Sequence, residues 1–304
     1  MIRIILHAKV AGDIDVRDAV NRLRDEGHDI SVRVTWEPSD SEGFAIEAAQ
    51  SSDVKTIVAG GGDGTLNAVV TGILKSGHLP LPSIGLLPLG TANDFARGCC
   101  IPDADPYAAL KIIADQAPVP IDVGFCNDRY FINVATGGFG TDVTVETNPQ
   151  LKKVLGGAAY LLTGVSRLAN VGASEASFAG RGVQWKGRFL AMAVGNARFA
   201  GGGVEMCPNA LIDDGILNLW IMPEFPEAGV PEALSDLMKQ GKNGILDHLV
   251  SFKTNEFTVT SNSGVRINLD GEPLQSELVH FKVLPKKIRF HLPHGSSLLL
   301  DSDT

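Results

Sequence analysis

The chain has 304 residues, 44% of them hydrophobic, and a formal net charge of −9. That length accommodates two domains with sizeable cores, and the negative balance argues against broad nucleic-acid binding and against a strongly electrostatic membrane anchor. Cys99 and Cys100 are adjacent while Cys126 and Cys207 stand apart; with no C-x-x-C pair, neither a cysteine zinc site nor a thioredoxin-type motif is supported, and reduced thiols are expected.

Met1 to His7 runs directly into an apolar strand over residues 2–8, with no long apolar core or cleavage site. No apolar stretch approaches the length of a membrane span, so the expectation is a cytoplasmic protein without a transmembrane segment. Residues 15–26 read as a helix with Val16, Val20 and Leu23 on one face, ended by Gly27. Ile30 to Trp36 alternates as a strand, and Ser39 and Asp40 open a helix that runs to about Gln50. Thr56 to Ala59 reads as a buried strand; glycines follow, and then Leu66, Val69, Val70, Ile73 and Leu74 fall at helical spacing. Ile84 to Leu89 is a further strand, leading into Gly90-Thr-Ala-Asn-Asp94, a short helix, and a longer helix over Pro106–Asp115. Strands alternating with helices predict a parallel α/β sheet.

Near residue 120 the pattern changes. Short β-rich runs separated by glycines follow: Ile121–Cys126, Tyr130–Val134, Ala176–Phe178, Gly187–Gly195, Ile216–Met222, Glu256–Thr260, Val265–Leu269, Leu278–Leu284 and Ile288–Leu292. They predict an antiparallel β-sandwich, interrupted by helices over Leu151–Ala169 and Pro231–Lys239. The expected domains are 1–120 and 121–304, with the apolar tail Leu298–Leu300 a candidate to pack back on the first domain.

The glycine-rich loop Gly60-Gly-Gly-Asp-Gly-Thr65 lies between a strand end and a helix start. Glycine lets a ligand approach without a Cβ in the way, and the amides and partial positive charge of a helix N-terminus suit a phosphate. A P-loop would need Gly-Lys-Ser/Thr, and there is no lysine. A dinucleotide fingerprint counted from Gly60 ends on Thr65, and the region Leu79–Leu86 lacks the required acid.

Four stretches occur in order: Gly60-Gly-Gly-Asp-Gly-Thr65, Leu87-Pro-Leu-Gly-Thr-Ala-Asn-Asp94, Gly201-Gly-Gly-Val-Glu-Met-Cys-Pro-Asn-Ala-Leu-Ile-Asp-Asp-Gly215 and Leu269-Asp-Gly-Glu-Pro-Leu274. With Val34-Thr-Trp-Glu37 and Ala135-Thr-Gly-Gly-Phe-Gly140, they resemble the diacylglycerol-kinase catalytic-domain family, most closely its bacterial YegS-like lipid kinases, over nearly the whole chain. The resemblance implies a Rossmann-like nucleotide-binding domain, a β-sandwich that takes the acceptor, and an active site in the cleft between them. It implies ATP-dependent, magnesium-requiring phosphorylation of a lipid hydroxyl at the membrane surface, with a glycerol lipid of the diacylglycerol or phosphatidylglycerol type as acceptor. A kinase of a soluble hydroxyl substrate and a non-catalytic nucleotide-binding module are the competing readings.

By this resemblance Gly61, Gly62, Asp63, Gly64, Thr65, Leu66, Asn67 and Ala68 form the nucleotide cradle, and Thr35 and Thr91 touch the nucleotide. Thr65 can donate to a phosphate oxygen or cap the helix. Asp63 accepts only, so it acts through magnesium or simply bonds its own turn. Asp270-Gly271 is a hairpin signal, and Glu272 beside it is the general base that the resemblance favours over Asp270. The resemblance also places a divalent ion on the Asp214 carboxylate with the carbonyls of Leu211 and Ile216; oxygen ligands suit magnesium, or calcium. A plain Asp-Gly turn is the competing reading there.

Overall fold

The computed structural model describes residues 1–138, 173–224 and 248–300. The helices expected over Leu151–Ala169 and Pro231–Lys239 lie outside the described residues, as do Phe139 and Gly140. The chain divides into two compact units: Met1–Val123 with Leu211–Gly215 and Leu284–Thr304, and Gly124–Ala210 with Ile216–Val283. The second domain expected over 121–304 is therefore discontinuous, because two of its segments are built into the first unit.

The first unit contains strands β1 (Ile2–Leu6), β2 (Ile30–Val34), β3 (Thr56–Gly61) and β4 (Ser83–Pro88), and helices α1 (Ile14–Asp25), α2 (Asp40–Gln50), α3 (Asp63–Lys75), α4 (Asp94–Cys99) and α5 (Pro106–Asp115). Helical spacing explains what each buries: Val16, Ala19, Val20 and Leu23 on α1, and Leu66, Val69, Val70 and Ile73 on α3. Asp13 caps α1 by accepting the Asp15 amide at 2.9 Å. Helices α2 and α3 pack closely enough that a Cβ on Gly72 would meet the Ala45 Cβ at 2.8 Å. After Leu6 the chain leaves β1 for a short 3-10 turn, Ala8–Val10, where the expected strand over 2–8 would have continued.

The strands run parallel, β1 pairing with β2 and β3, and β3 with β4. The order 2-1-3-4 is the flavodoxin-type winding, not the 3-2-1-4 order of the dinucleotide fold, so its switch point lies between β1 and β3. Outside β4, Phe290 pairs in parallel with Ile84, and the His291 amide donates to the Ile84 carbonyl at 2.9 Å. The C-terminal tail belongs to this unit: the Leu298 carbonyl accepts the Ile212 amide at 2.9 Å, and Leu298 is buried.

The His291 ring is buried, with Nδ1 2.8 Å from the Gln116 carbonyl and Nε2 2.9 Å from Ser83 Oγ. The carbonyl only accepts, so Nδ1 carries the proton and Nε2 accepts from the serine hydroxyl. Burial holds its pKa below the usual imidazole value. As pH falls through about 6.5, the unfolded chain binds a proton that the folded ring resists, so stability drops on the acid side. Melting temperatures on both sides of that pH should fall less in His291→Gln than in the unaltered protein.

The second unit is antiparallel throughout its described residues. Its strands are the end of β5 (Val119–Cys126), β6 (Arg129–Phe131), β7 (Val134–Gly138), β8 (Ser174–Gly180), β9 (Val183–Gly195), β10 (Phe199–Ala200), β11 (Val204–Glu205), β12 (Leu217–Pro223), β13 (Val250–Thr254), β14 (Glu256–Leu269) and β15 (Glu272–Phe290), the last continuing into the first unit. Four strands expected as short runs are two long ones. Glu256–Thr260 and Val265–Leu269 join as β14 across a bulge, and β15 covers Leu278–Leu284 and most of Ile288–Leu292. Strand β14 pairs with β8 before the bulge and with β7 after it; β9 likewise pairs first with β8 and then with β7. Bent strands that change partner in this way let one chain segment serve two layers. Phe178, Phe189, Phe257 and Phe281 fill the core between them.

Candidate active site

Strand β3 continues through Gly60 and Gly61, and Gly62 is the N-cap of α3. The Leu66 amide makes the first intrahelical bond, to the Gly62 carbonyl at 3.0 Å, and the preceding turn is where a helix leaves amides for an anion. Thr65 folds back beneath the strand end: a Cβ on Gly61 would lie 2.8 Å from the Thr65 Cβ. The Thr65 side chain is thereby buried against the loop.

Gly64 is different. It is exposed, its φ is not in the left-handed region, and a Cβ there would meet nothing within 4 Å. A glycine in a helix costs about 1 kcal/mol relative to alanine. Among the described residues nothing requires a glycine there, so the space above it is what its missing side chain preserves.

The loop after β4 reaches the same place. The Leu89 amide donates to the Gly61 carbonyl at 2.9 Å, and a Cβ on Gly62 would stand 3.1 Å from the Gly90 Cα. Two glycines thus let the two loops touch backbone to backbone. Asp63 joins them: its carboxylate accepts the Asp94 amide and the Phe95 amide, each at 3.0 Å. These bonds cap α4 across the sheet, a role not read from the sequence. The partners lie 31 and 32 residues away, beyond any local spacing signal. Asn93, left-handed at φ 51, closes the second loop by accepting the Gly90 amide at 2.9 Å and donating to its carbonyl at 3.0 Å.

The other nucleotide candidates divide. Leu66 is fully buried, so its side chain belongs to the core. Asn67 Oδ1 accepts the Thr71 hydroxyl at 3.2 Å, and Ala68 is half-buried. Thr91 is exposed directly after Gly90. Thr35 continues the β2 ladder by donating its amide to Leu6 at 2.9 Å, while its Oγ1 accepts the Ala8 amide at 3.2 Å. Gly61 to Thr65 and Gly90 to Thr91 are therefore gathered by contact, and Thr35 stands at a carboxyl end of the same sheet.

Within the second unit, Asp270 and Gly271 form the two-residue turn between β14 and β15, with φ of 48 and 104 and Leu269 paired to Glu272. The Asp270 carboxylate accepts the amides of Ile132 at 2.6 Å, Asn133 at 3.1 Å and Val134 at 3.2 Å. It is a structural clasp. Glu272, one residue beyond the turn, is exposed. Of the two carboxylates at this turn, Asp270 is engaged by three amides and Glu272 is exposed.

Leu211 to Gly215 forms a turn tied into the first unit. Buried Asp122 accepts the Gly215 amide at 2.6 Å and the Lys286 amide at 2.7 Å, while Asp213 Oδ1 accepts the Leu300 amide at 2.9 Å. Burial pushes the Asp122 pKa up, against the pull of those two amides. Among the described residues no three His, Cys, Asp or Glu side chains cluster as a metal site. An ion at Asp214 would rest on one carboxylate and main-chain carbonyls, a donor set that suits hard cations.

Comparison with known proteins accords with this arrangement. Residues 6–126 match the diacylglycerol kinase catalytic domain, and residues 134–291 match the YegS C-terminal NAD kinase beta sandwich-like domain. A Pseudomonas aeruginosa protein named "Probable lipid kinase YegS-like" is 46% identical over 296 residues, covering 97% of this chain and 95% of its own. One of the same name from Xanthomonas axonopodis pv. citri is 42% identical over 304 residues, covering 98% and 97%. A crystal structure of a diacylglycerol kinase from Bacillus anthracis str. Sterne superposes with TM-score 0.72 at 19% identity, each chain covered to 97%. A second structure from the same organism, titled "Crystal structure of a putative diacylglycerol kinase", gives TM-score 0.80 at 23% identity, covering 97% of this chain and 96% of that one. These two show a shared fold. With both domain models matched in order and full-length relatives above 40% identity, this chain belongs to the YegS-like lipid kinases of the diacylglycerol kinase catalytic-domain family and is a kinase.

Proposed function

We propose that this kinase transfers the γ-phosphoryl group of ATP to a hydroxyl of a glycerol-based lipid, of the diacylglycerol or phosphatidylglycerol type. The observation that carries the nucleotide part is the open start of α3, where Gly64 is exposed and uncrowded and the Gly62–Gly90 contact frames it. Phosphates take the amides of this helix start, the Thr65 amide among them, and the exposed Thr91 hydroxyl orients them. The acceptor hydroxyl oxygen bonds to the γ-phosphorus as the bond to the β–γ bridging oxygen breaks, and ADP leaves. Glu272 takes the hydroxyl proton. Phosphoryl transfer needs positioning and charge neutralisation more than covalent help, which one available carboxylate and a rigid cradle supply.

Magnesium neutralises phosphate charge in such reactions. A separate divalent ion, magnesium or calcium, is held away from the phosphates by the Asp214 carboxylate with the Leu211 and Ile216 carbonyls, oxygen ligands that suit a hard cation. The ion orders the turn that carries Asp214, which leads directly into the β-rich unit at Ile216. Added magnesium should raise the melting temperature of the unaltered protein and leave Asp214→Ala unmoved. An equal shift in the variant places the ion elsewhere.

Radiolabelled ATP with a panel of lipids in mixed micelles tests the reading as a whole. Label should enter a glycerol lipid. Label entering only a soluble metabolite replaces the lipid with a soluble acceptor. Bound ATP without turnover makes the protein a binding module.

A further inference from the structure

Trp36 is 89% exposed, the most exposed of the large apolar side chains among the described residues. Its neighbourhood is not loose. Thr35, immediately before it, is buried and bonded on both sides: its amide donates to Leu6 at 2.9 Å and its Oγ1 accepts from Ala8 at 3.2 Å. Immediately after, one oxygen of Asp40 accepts the Trp36 amide at 2.6 Å and the Glu37 amide at 2.8 Å. Those amides, Glu37's foremost, hold the Asp40 pKa below the usual carboxylate range, so the clamp persists in mild acid. The main chain of Trp36 is therefore fixed while its indole is left to solvent.

The register gives the reach. Leu6 pairs with Val34 on one side and with Gly60 on the other. The end of β2 thus lies two strand spacings, about 10 Å, from the end of β3. A nucleotide whose terminal phosphates rest on the start of α3 carries its base one ribose and one phosphate away, a span of the same order. It would cross the β1/β3 switch point, where sheets of this winding bind ligands.

We propose that Trp36 is the platform on which the purine base of the nucleotide stacks, making it a binding residue for the phosphoryl donor. The assignment rests on the nucleotide reading of the α3 loop given above. Base–aromatic stacking is sequence-tolerant and strong enough to justify an exposed indole. A bilayer surface could use the same indole, but the net charge of −9 gives an anionic membrane little to attract.

The test compares ATP with inorganic triphosphate, which lacks the base, on the unaltered protein, Trp36→Ala and Trp36→Phe. Dissociation constants come from titration calorimetry, and emission is followed in parallel with ATP and with anionic phospholipid vesicles. Trp36→Ala should bind ATP about tenfold more weakly and triphosphate as before, and Trp36→Phe should recover most of the loss. ATP should quench an emission component that Trp36→Phe lacks. Unchanged ATP affinity in Trp36→Ala overturns the assignment. So does a parallel loss of triphosphate binding, which would mean damage to the loop, or an indole that responds to vesicles and not to ATP. If the unaltered protein binds no ATP, the nucleotide reading fails first and the platform with it.

Discussion

Gly64→Ala should leave the fold intact and weaken ATP binding by about 10- to 100-fold. The two halves of that expectation have separate origins. A Cβ at Gly64 meets no protein atom within 4 Å, and alanine is favoured over glycine in a helix by up to about 1 kcal/mol, so the melting temperature should hold or rise. The same methyl occupies space that a bound phosphate needs, and overpacking of that kind costs about 1–3 kcal/mol. Gly62 is the less discriminating site, because a Cβ there already stands 3.1 Å from the Gly90 Cα and would part the two loops whether or not a ligand is present. Melting curves beside ATP titrations decide the matter. Unaltered ATP affinity in Gly64→Ala would mean that the phosphates rest elsewhere.

Glu272→Gln should lose turnover by about 10²- to 10⁴-fold and keep its affinity for ATP. Glutamine is nearly isosteric and cannot take the proton. Glu272 is exposed on the second unit and Asp270 holds the turn, so the substitution should not move the melting temperature. The measurements are kcat with ATP and the best lipid acceptor, and the dissociation constant for ATP. A loss of affinity equal to the loss of rate would make Glu272 a structural residue.

Much of this protein was legible along the chain because its signals are local. Helix faces such as Val16–Val20–Leu23 and Leu66–Val69–Val70–Ile73 recur within one or two turns, and strand alternation is visible within a few residues. The same holds for the glycine-rich strand–loop–helix and for the Asp270–Gly271 turn, whose backbone demands admit few residue types. The ordered motifs carried the family, and with it Glu272, which no spacing rule separates from Asp270.

Tertiary structure decided what local patterns cannot carry. The strand order 2-1-3-4 and the return of Leu211–Gly215 and Leu284 onward to the first unit depend on pairings over long separations. Two pairs of short runs became the single strands β14 and β15 because a bulge or a left-handed residue bends a ladder without ending it. Asp63 and Asp270 looked like turn residues, yet each holds amides of a distant segment, from 31 residues away in one case to 138 in the other. A short carboxylate accepts equally well from a near or a distant amide, so its sequence neighbours do not say which. The Gly62–Gly90 contact has the same origin: a missing Cβ is visible in the sequence, but what occupies its place is set only when the two loops meet.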